Sequence, residues 1–205
     1  ARKLAERMKK MNKLMGFYEL KSSDLPTVPW KEFCENTVMD DERLWTVRSA
    51  VFRGDDISLP RLVGVSAHEA TLFAQQLKKK LGDNGIVLYY PYFKAEKSGT
   101  LNVFWNKYVI EAVEADLWNL VTDSQCNVTI QCGDVEQKII GDDNFLSEEE
   151  LCLLKKHIPM IKRMFRDDLL EGRSVLLEWS FAYQCDGSGN PVGERYLVFY
   201  EARTI

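Results

Sequence analysis

The stretch CDGSGNPVGE, residues 185–194, sets Asp186, Ser188, Asn190, Val192 and Glu194 on alternate positions, the rhythm of a calcium-binding loop. Such a loop needs glycine at its sixth position and a bidentate carboxylate at its twelfth. Counted from Asp186, those places hold Pro191 and Leu197, which can do neither job. Gly187, Gly189 and Asn190 instead supply the backbone freedom of a turn between two strands. Two further acidic pairs follow glycine: Asp55-Asp56 in RGDD and Asp142-Asp143 in GDDN. They could share a Mg²⁺ only if the fold brings them together, and each reads first as a solvated loop. His68 precedes Glu69 at the start of a predicted helix, with no nucleophile spaced to serve it as a base. His157 follows Lys155 and Lys156 and suits the C-terminal end of a helix through the macrodipole. The five cysteines form no C-x-x-C pair, and two histidines do not complete a zinc set. This inventory leads us to expect buried thiols in a reducing compartment, no catalytic residues, no metal and no cofactor.

Residues suited to recognition are more prominent than residues suited to catalysis. At the N-terminus, Leu4, Met8, Met11 and Met15 have helical spacing. The other face carries Arg2, Lys3, Arg7, Lys9, Lys10 and Lys13 against the single acid Glu6. That face is either solvated or docks on an acidic partner; Arg2, Lys3, Arg7 and Lys10 are the candidate contacts. A net charge of −4 and the absence of interleaved aromatics argue against nucleic acid as the primary partner. Tyr89, Tyr90, Tyr92, Phe93, Phe104, Trp105 and Tyr108 crowd one region whose alternation puts them on both faces of a sheet. Tyr92 and Trp105 are the candidate anchors for a protein interface.

The elements that must position these residues follow from periodicity. With 205 residues, 45% hydrophobic and 28% charged, the chain can bury a large core without disulfides or metal. No apolar run is long enough to span a membrane as a helix. Residues 1–20 read as a basic amphipathic helical extension, with Gly16 as a plausible stop, and KSSDLPTVP as a connector. Residues 28–205 read as a single α+β domain. Deleting residues 1–16 is therefore expected to leave the core's melting nearly intact. A short helix is predicted over Trp30–Asn36 and a strand over Leu44–Phe52. Ser66-x-x-Glu69 and Ser147-x-x-Glu150 are capping boxes opening two longer helices, the second kinked or split at Pro159. Between them, strands IVLYYPYF and LNVFWNKYVIEAV are joined by KAEKSGT as a hairpin turn, and Pro91 marks an edge or a bulge. SVLLEWSFAYQ and GERYLVFYEA close the chain as a final hairpin. The order implies a mostly antiparallel sheet with packed helices and an N-terminal amphipathic helix extending from the core.

The stretch LPTVPWKEFCENTVMDDERLWTVRSAVFRGDDISLP, followed by VGVSAHEATLFAQQLKKKLGDNGIVLYYPYFKAEKSGTLNV, resembles the accessory subunits of the plastid-encoded RNA polymerase. The resemblance rests on overall texture rather than on a catalytic motif, and it carries over no functional residues. It implies a chloroplast protein of the plastid nucleoid, bound to the protein subunits of a large transcription complex, stabilising that complex as a non-catalytic scaffold. The alternatives are a small α+β enzyme or ligand-binding module using the acidic loops, and a nucleic-acid-binding protein.

Overall fold

The computed structural model describes residues 11–53, 59–117, 126–133 and 136–205. Arg2, Lys3, Arg7, Lys10, Asp55 and Asp56 lie outside the described residues. The elements run α1 (Lys13–Lys21), β1 (Lys31–Glu32), β2 (Trp45–Val51), β3 (Arg61–Val65), α2 (Ala67–Leu81), β4 (Gly85–Pro91), β5 (Phe93–Val103), β6 (Tyr108–Glu114), β7 (Val128–Cys132), β8 (Gln137–Gly141), α3 (Glu148–Met164), α4 (Arg166–Leu170), β9 (Val175–Cys185) and β10 (Pro191–Thr204). The fold is α+β. Two sheets form, ordered β1-β4-β2-β3 and β10-β9-β5-β6-β7-β8, and their strands pair antiparallel.

Each helix buries one apolar stripe against a sheet face. Both predicted capping boxes form: Ser66 accepts from the Glu69 amide while Glu69 accepts from the Ser66 amide, and Ser147 and Glu150 do the same for α3. Ala67, Ala70, Ala74 and Leu77 of α2 pack on Trp45, Val47, Val87 and Tyr89 of the smaller sheet. Leu154, Ile158 and Ile161 of α3 pack on Leu101, Ile110, Ile130, Leu177 and Trp179 of the larger one. The space between the sheets is filled from above by α1, whose Leu14 and Phe17 meet Ala50, Leu88, Tyr90, Val198 and Tyr200.

Several sequence expectations are corrected here. Gly16 does not stop α1, which continues to Lys21, and Leu14, Phe17 and Leu20 are buried. Residues 11–20 therefore pack on the body rather than extending from it. Met11 and Leu14 are buried in the core, so deleting residues 1–16 is expected instead to lower the melting transition. Trp30–Asn36 is not helical: Lys31 and Glu32 add a short strand to β4, and Trp30 is buried, donating from its indole to the Phe17 carbonyl at 3.1 Å. KAEKSGT is no turn but the middle of β5; the turn falls at residues 104–107, closed by the Phe104 amide on the Lys107 carbonyl. β4 is an inner strand. Pro91 is tolerated at its end because the β1 ladder reaches only Tyr89 and Leu88. α3 runs through Pro159, which is exposed, and ends at Phe165, where φ −111° and ψ 30° leave the helical region.

Candidate functional site

The last two strands carry two glutamates, the buried Glu201 and the half-buried Glu178. In β10 the register shifts between Phe199 and Glu201, so that Phe199 faces Trp179 while Glu201 faces Glu178. This irregularity moves the chain after Tyr200 by one residue, which lets two glutamates oppose each other across β9 and β10. The pairing continues across the sheet: Glu178 faces Thr100 of β5, Thr100 faces Glu111 of β6, and Glu111 faces Thr129 of β7. Directly opposed residues share a sheet face, so these form one polar row. Thr100 donates to Glu111 at 2.9 Å. The adjacent row holds Arg203, Leu176 and Asn102.

Cations converge on the same face from other elements. Arg48 of β2 donates from Nη2 to Glu201 Oε2 at 2.5 Å, and Lys13 of α1 places Nζ 3.2 Å from Glu201 Oε1. The Arg48 guanidinium lies 5.4 Å over the Phe17 ring. Burial opposes its charge, but Tyr90, Glu201 and Glu178 outweigh burial and hold it firmly protonated. Burial alone would raise Glu201 as well; Arg48 and Lys13 reverse that and hold it below the usual carboxylate range. Glu178 goes the other way. Burial, reinforced by the Glu201 charge, pushes it from 4.5 up to about 7. Tyr200, buried beside Glu178, is also raised well above an ordinary phenol. Two orphaned polar atoms flank the pair: Arg203 Nε and Asn102 Oδ1 are buried without a hydrogen-bond partner among the described residues.

This arrangement sets one carboxyl raised towards neutrality beside one carboxylate held ionised, a separation of roles suited to acid–base work or to ligand binding. Among the described residues no three His, Cys, Asp or Glu side chains come together to hold a metal. A single carboxylate can suit a divalent ion that takes its other ligands from bound phosphates and water. With both Glu201 oxygens engaged by cations, Glu178 is the carboxyl left to exchange its proton for a metal.

The pair gives the chain a pH dependence with a definite sign. The folded-state value of Glu178 is raised, so the native protein holds a proton that the unfolded chain has lost between pH 4.5 and about 7. Stability from this group therefore falls as pH rises through that window. Glu178→Gln is expected to abolish the slope and to be more stable than the native chain by about 1–2 kcal/mol at pH 8, allowing for partial exposure of the side chain. Denaturant melts at pH 5 and pH 8 measure this. Equal slopes in both proteins would show that Glu178 ionises normally.

The sites expected from sequence fall elsewhere. The 185–194 loop is a hairpin turn, with Asp186 accepting from the Ser188 and Asn190 amides at 2.9 Å. Asp142 and Asp143 likewise accept from the Asn144 amide and side chain. Trp105 is half-exposed in the β5–β6 turn, its carbonyl accepting from Lys162 at 2.7 Å. Tyr92 is partly buried and lies against Gly64. The carboxylates that do converge, Glu178 and Glu201, sit on strands and belong to no local motif. Their only sequence signal is a charge inside LLEWSF and FYEART, two otherwise apolar strand patterns.

No known family model matches the sequence, and no curated protein matches it. A solved structure shares its fold, and two others resemble it less. The dinucleotide forming acetyl-coenzyme A synthetase 1 of Ca. Korarchaeum cryptofilum, in complex with coenzyme A, Ca-AMPCP and HgCl⁺, matches with TM-score 0.52 and 10% identity over 100% of this chain and 96% of that one. An N5-carboxyaminoimidazole synthase of Aspergillus clavatus, in complex with ADP and 5-aminoimidazole ribonucleotide, gives 0.44 and 12%, covering 98% of this chain and 48% of that one. An L-amino acid ligase of Bacillus licheniformis gives 0.43 and 13%, covering 94% and 42%. The first match overturns the expected non-catalytic scaffold of a chloroplast RNA polymerase, because the whole chain has the fold of a synthetase chain. The expectation that the protein is not an enzyme is corrected on the same ground. The shared fold agrees better with the alternative of an enzyme or ligand-binding module, though nothing among the described residues supports the acidic loops as its site.

No helix among the described residues is long and apolar enough to cross a membrane.

Proposed function

We propose that this chain is the nucleotide-binding part of a synthetase- or ligase-type enzyme, with its ligand seated on the polar face around Glu178 and Glu201. One observation carries the reading: two glutamates oppose each other across β9 and β10, with Arg48 and Lys13 both bound to one of them, Glu201. That face offers what a phosphate ester carrying a divalent cation requires. Lys13 and Arg203 supply positive charge, and Arg203 Nε, which has no hydrogen-bond partner among the described residues, supplies a donor. Glu178 would meet the cation, and Asn102 Oδ1 would accept from a ligand hydroxyl or amino group. A bound Mg²⁺ would neutralise phosphate charge; the chain's own residues position the anion, and Glu178 would give up its proton where it meets the cation. The shared fold supports this reading, since the acetyl-coenzyme A synthetase structure carries Ca-AMPCP.

The test is calorimetric titration with MgATP at pH 7.5. Saturable binding is expected, weakened roughly tenfold or more by Arg203→Met through loss of a charge-assisted hydrogen bond. Glu178→Gln is expected to remove the Mg²⁺ dependence while leaving the fold intact. Absence of saturable binding, or binding indifferent to both substitutions, would exclude this face as the nucleotide site.

A further inference from the structure

A cavity of about 440 Å³ lies between the hairpin end of β9 and β10, the β4–β5 junction and the loops at 27–29 and 40–43. That is within the size range of small-molecule sites. Its apolar surface includes three aromatic side chains, Tyr92, Phe93 and Tyr196. Its polar surface is acidic: Asp40, Glu42 and Asp186 face a single guanidinium, Arg43, which is itself 3.3 Å from Asp40. The backbone fixes these carboxylates at one mouth. Gly187 approaches the Glu42 carbonyl so closely that a Cβ there would stand 3.1 Å from its oxygen, so the 185–190 turn and the 40–42 loop form a common rim. Asp186 is held charged by the Asn190 and Ser188 amides, which pull it below the usual carboxylate range.

Aromatic rings beneath an excess of carboxylates are poorly suited to an anion and well suited to a cation with an apolar body. Ring quadrupoles attract such a cation through their faces, and the rim supplies Coulombic attraction. We propose that this cavity binds a small organic ammonium ion, with its substituents against Tyr92, Phe93 and Tyr196 and its charge toward Glu42 and Asp186. The cavity is also close to the carboxylate pair. The Phe93 ring stands 5.7 Å from the ring of Tyr200, whose phenol is raised well above the ordinary value by burial and by the nearby Glu178. The inference does not rest on the nucleotide reading and can fail or succeed without it.

Choline and its uncharged isostere 3,3-dimethylbutan-1-ol discriminate the idea. Calorimetry is expected to show saturable choline binding preferred roughly tenfold or more over the alcohol, the discrimination that cation–π and rim charge together provide. The double substitution Tyr92→Leu and Tyr196→Leu is expected to weaken choline by a similar factor. Glu42 is exposed and makes no core contact, so Glu42→Gln keeps the test valid should the tyrosine variant misfold; it is expected to weaken choline about threefold, as loss of one partly screened charge implies. MgATP affinity should stay unchanged in Glu42→Gln, which separates this site from the nucleotide site. No choline binding, equal binding of the alcohol, or unchanged affinity in Glu42→Gln would overturn the proposal.

Discussion

Glu201→Leu is expected to destabilise the protein by about 3–5 kcal/mol, the cost of leaving a buried charge uncompensated. Arg48 is 8% exposed and Glu201 1% exposed, so neither can turn to water without the two sheets parting. Lys13 is more accessible and can recover solvent when Glu201 is lost. For a chain of this size each kcal/mol moves the midpoint by about 2–4 °C, so the melting temperature should fall by roughly 10 °C. The paired substitution Arg48→Met with Glu201→Leu removes both charges and is expected to recover most of that loss, because the desolvation penalty goes with them. Denaturant melts of the single and double variants measure the coupling. Should the double variant be as unstable as the sum of its parts, the ion pair is not the origin of the cost. Glu178 offers an independent readout. Its value is raised by burial and then by Glu201, so removing Glu201 should let it titrate closer to an ordinary carboxyl.

That pair illustrates what sequence can and cannot reveal. Local hydrogen bonding was legible: Ser66-x-x-Glu69 and Ser147-x-x-Glu150 form the capping boxes their spacing implies, since every atom involved lies within one turn. The 185–194 loop was legible as a turn for the same reason. Glycine inside a strand was not. Gly99 made KAEKSGT look like a hairpin, but its role is close approach: a Cβ there would sit 1.9 Å from the Glu111 carbonyl and 2.4 Å from the Trp179 ring. The site itself depends on long-range register. Glu178 and Glu201 oppose each other only because β10 shifts by one residue after Phe199, and Arg48 reaches them from another sheet. No spacing in the chain encodes those contacts. The aspartate pairs that stood out in the sequence proved, where they are described, to bond their own neighbouring residues.

Gly16→Ala should be as disruptive locally as it is benign by composition. Alanine in a helix interior is ordinarily favoured over glycine by about 1 kcal/mol, so propensity alone predicts a more stable protein. Packing reverses the sign. A Cβ at Gly16 would lie 1.8 Å from the Ala202 carbonyl oxygen and 2.7 Å from its carbon, both backbone atoms of β10 with no rotamer to yield. The helix must lift from the strand, separating Leu14 and Phe17 from Val198 and Tyr200. The expected net loss is about 3 kcal/mol, at the upper end of the cost of overpacking. Met15→Ala, at a neighbouring exposed position, is the control and should cost about 0.5 kcal/mol or less. Gly16→Ala should also reach the site, because α1 carries Lys13 to Glu201. Moving Lys13 away removes a charge that lowers both Glu201 and Glu178, so both carboxyls should titrate higher than in the native chain. Carboxyl-carbon NMR titration of the glutamates, run beside the melts, reads that shift directly. A Gly16→Ala protein with native stability and native glutamate titrations would mean that α1 does not seat against β10 through Gly16.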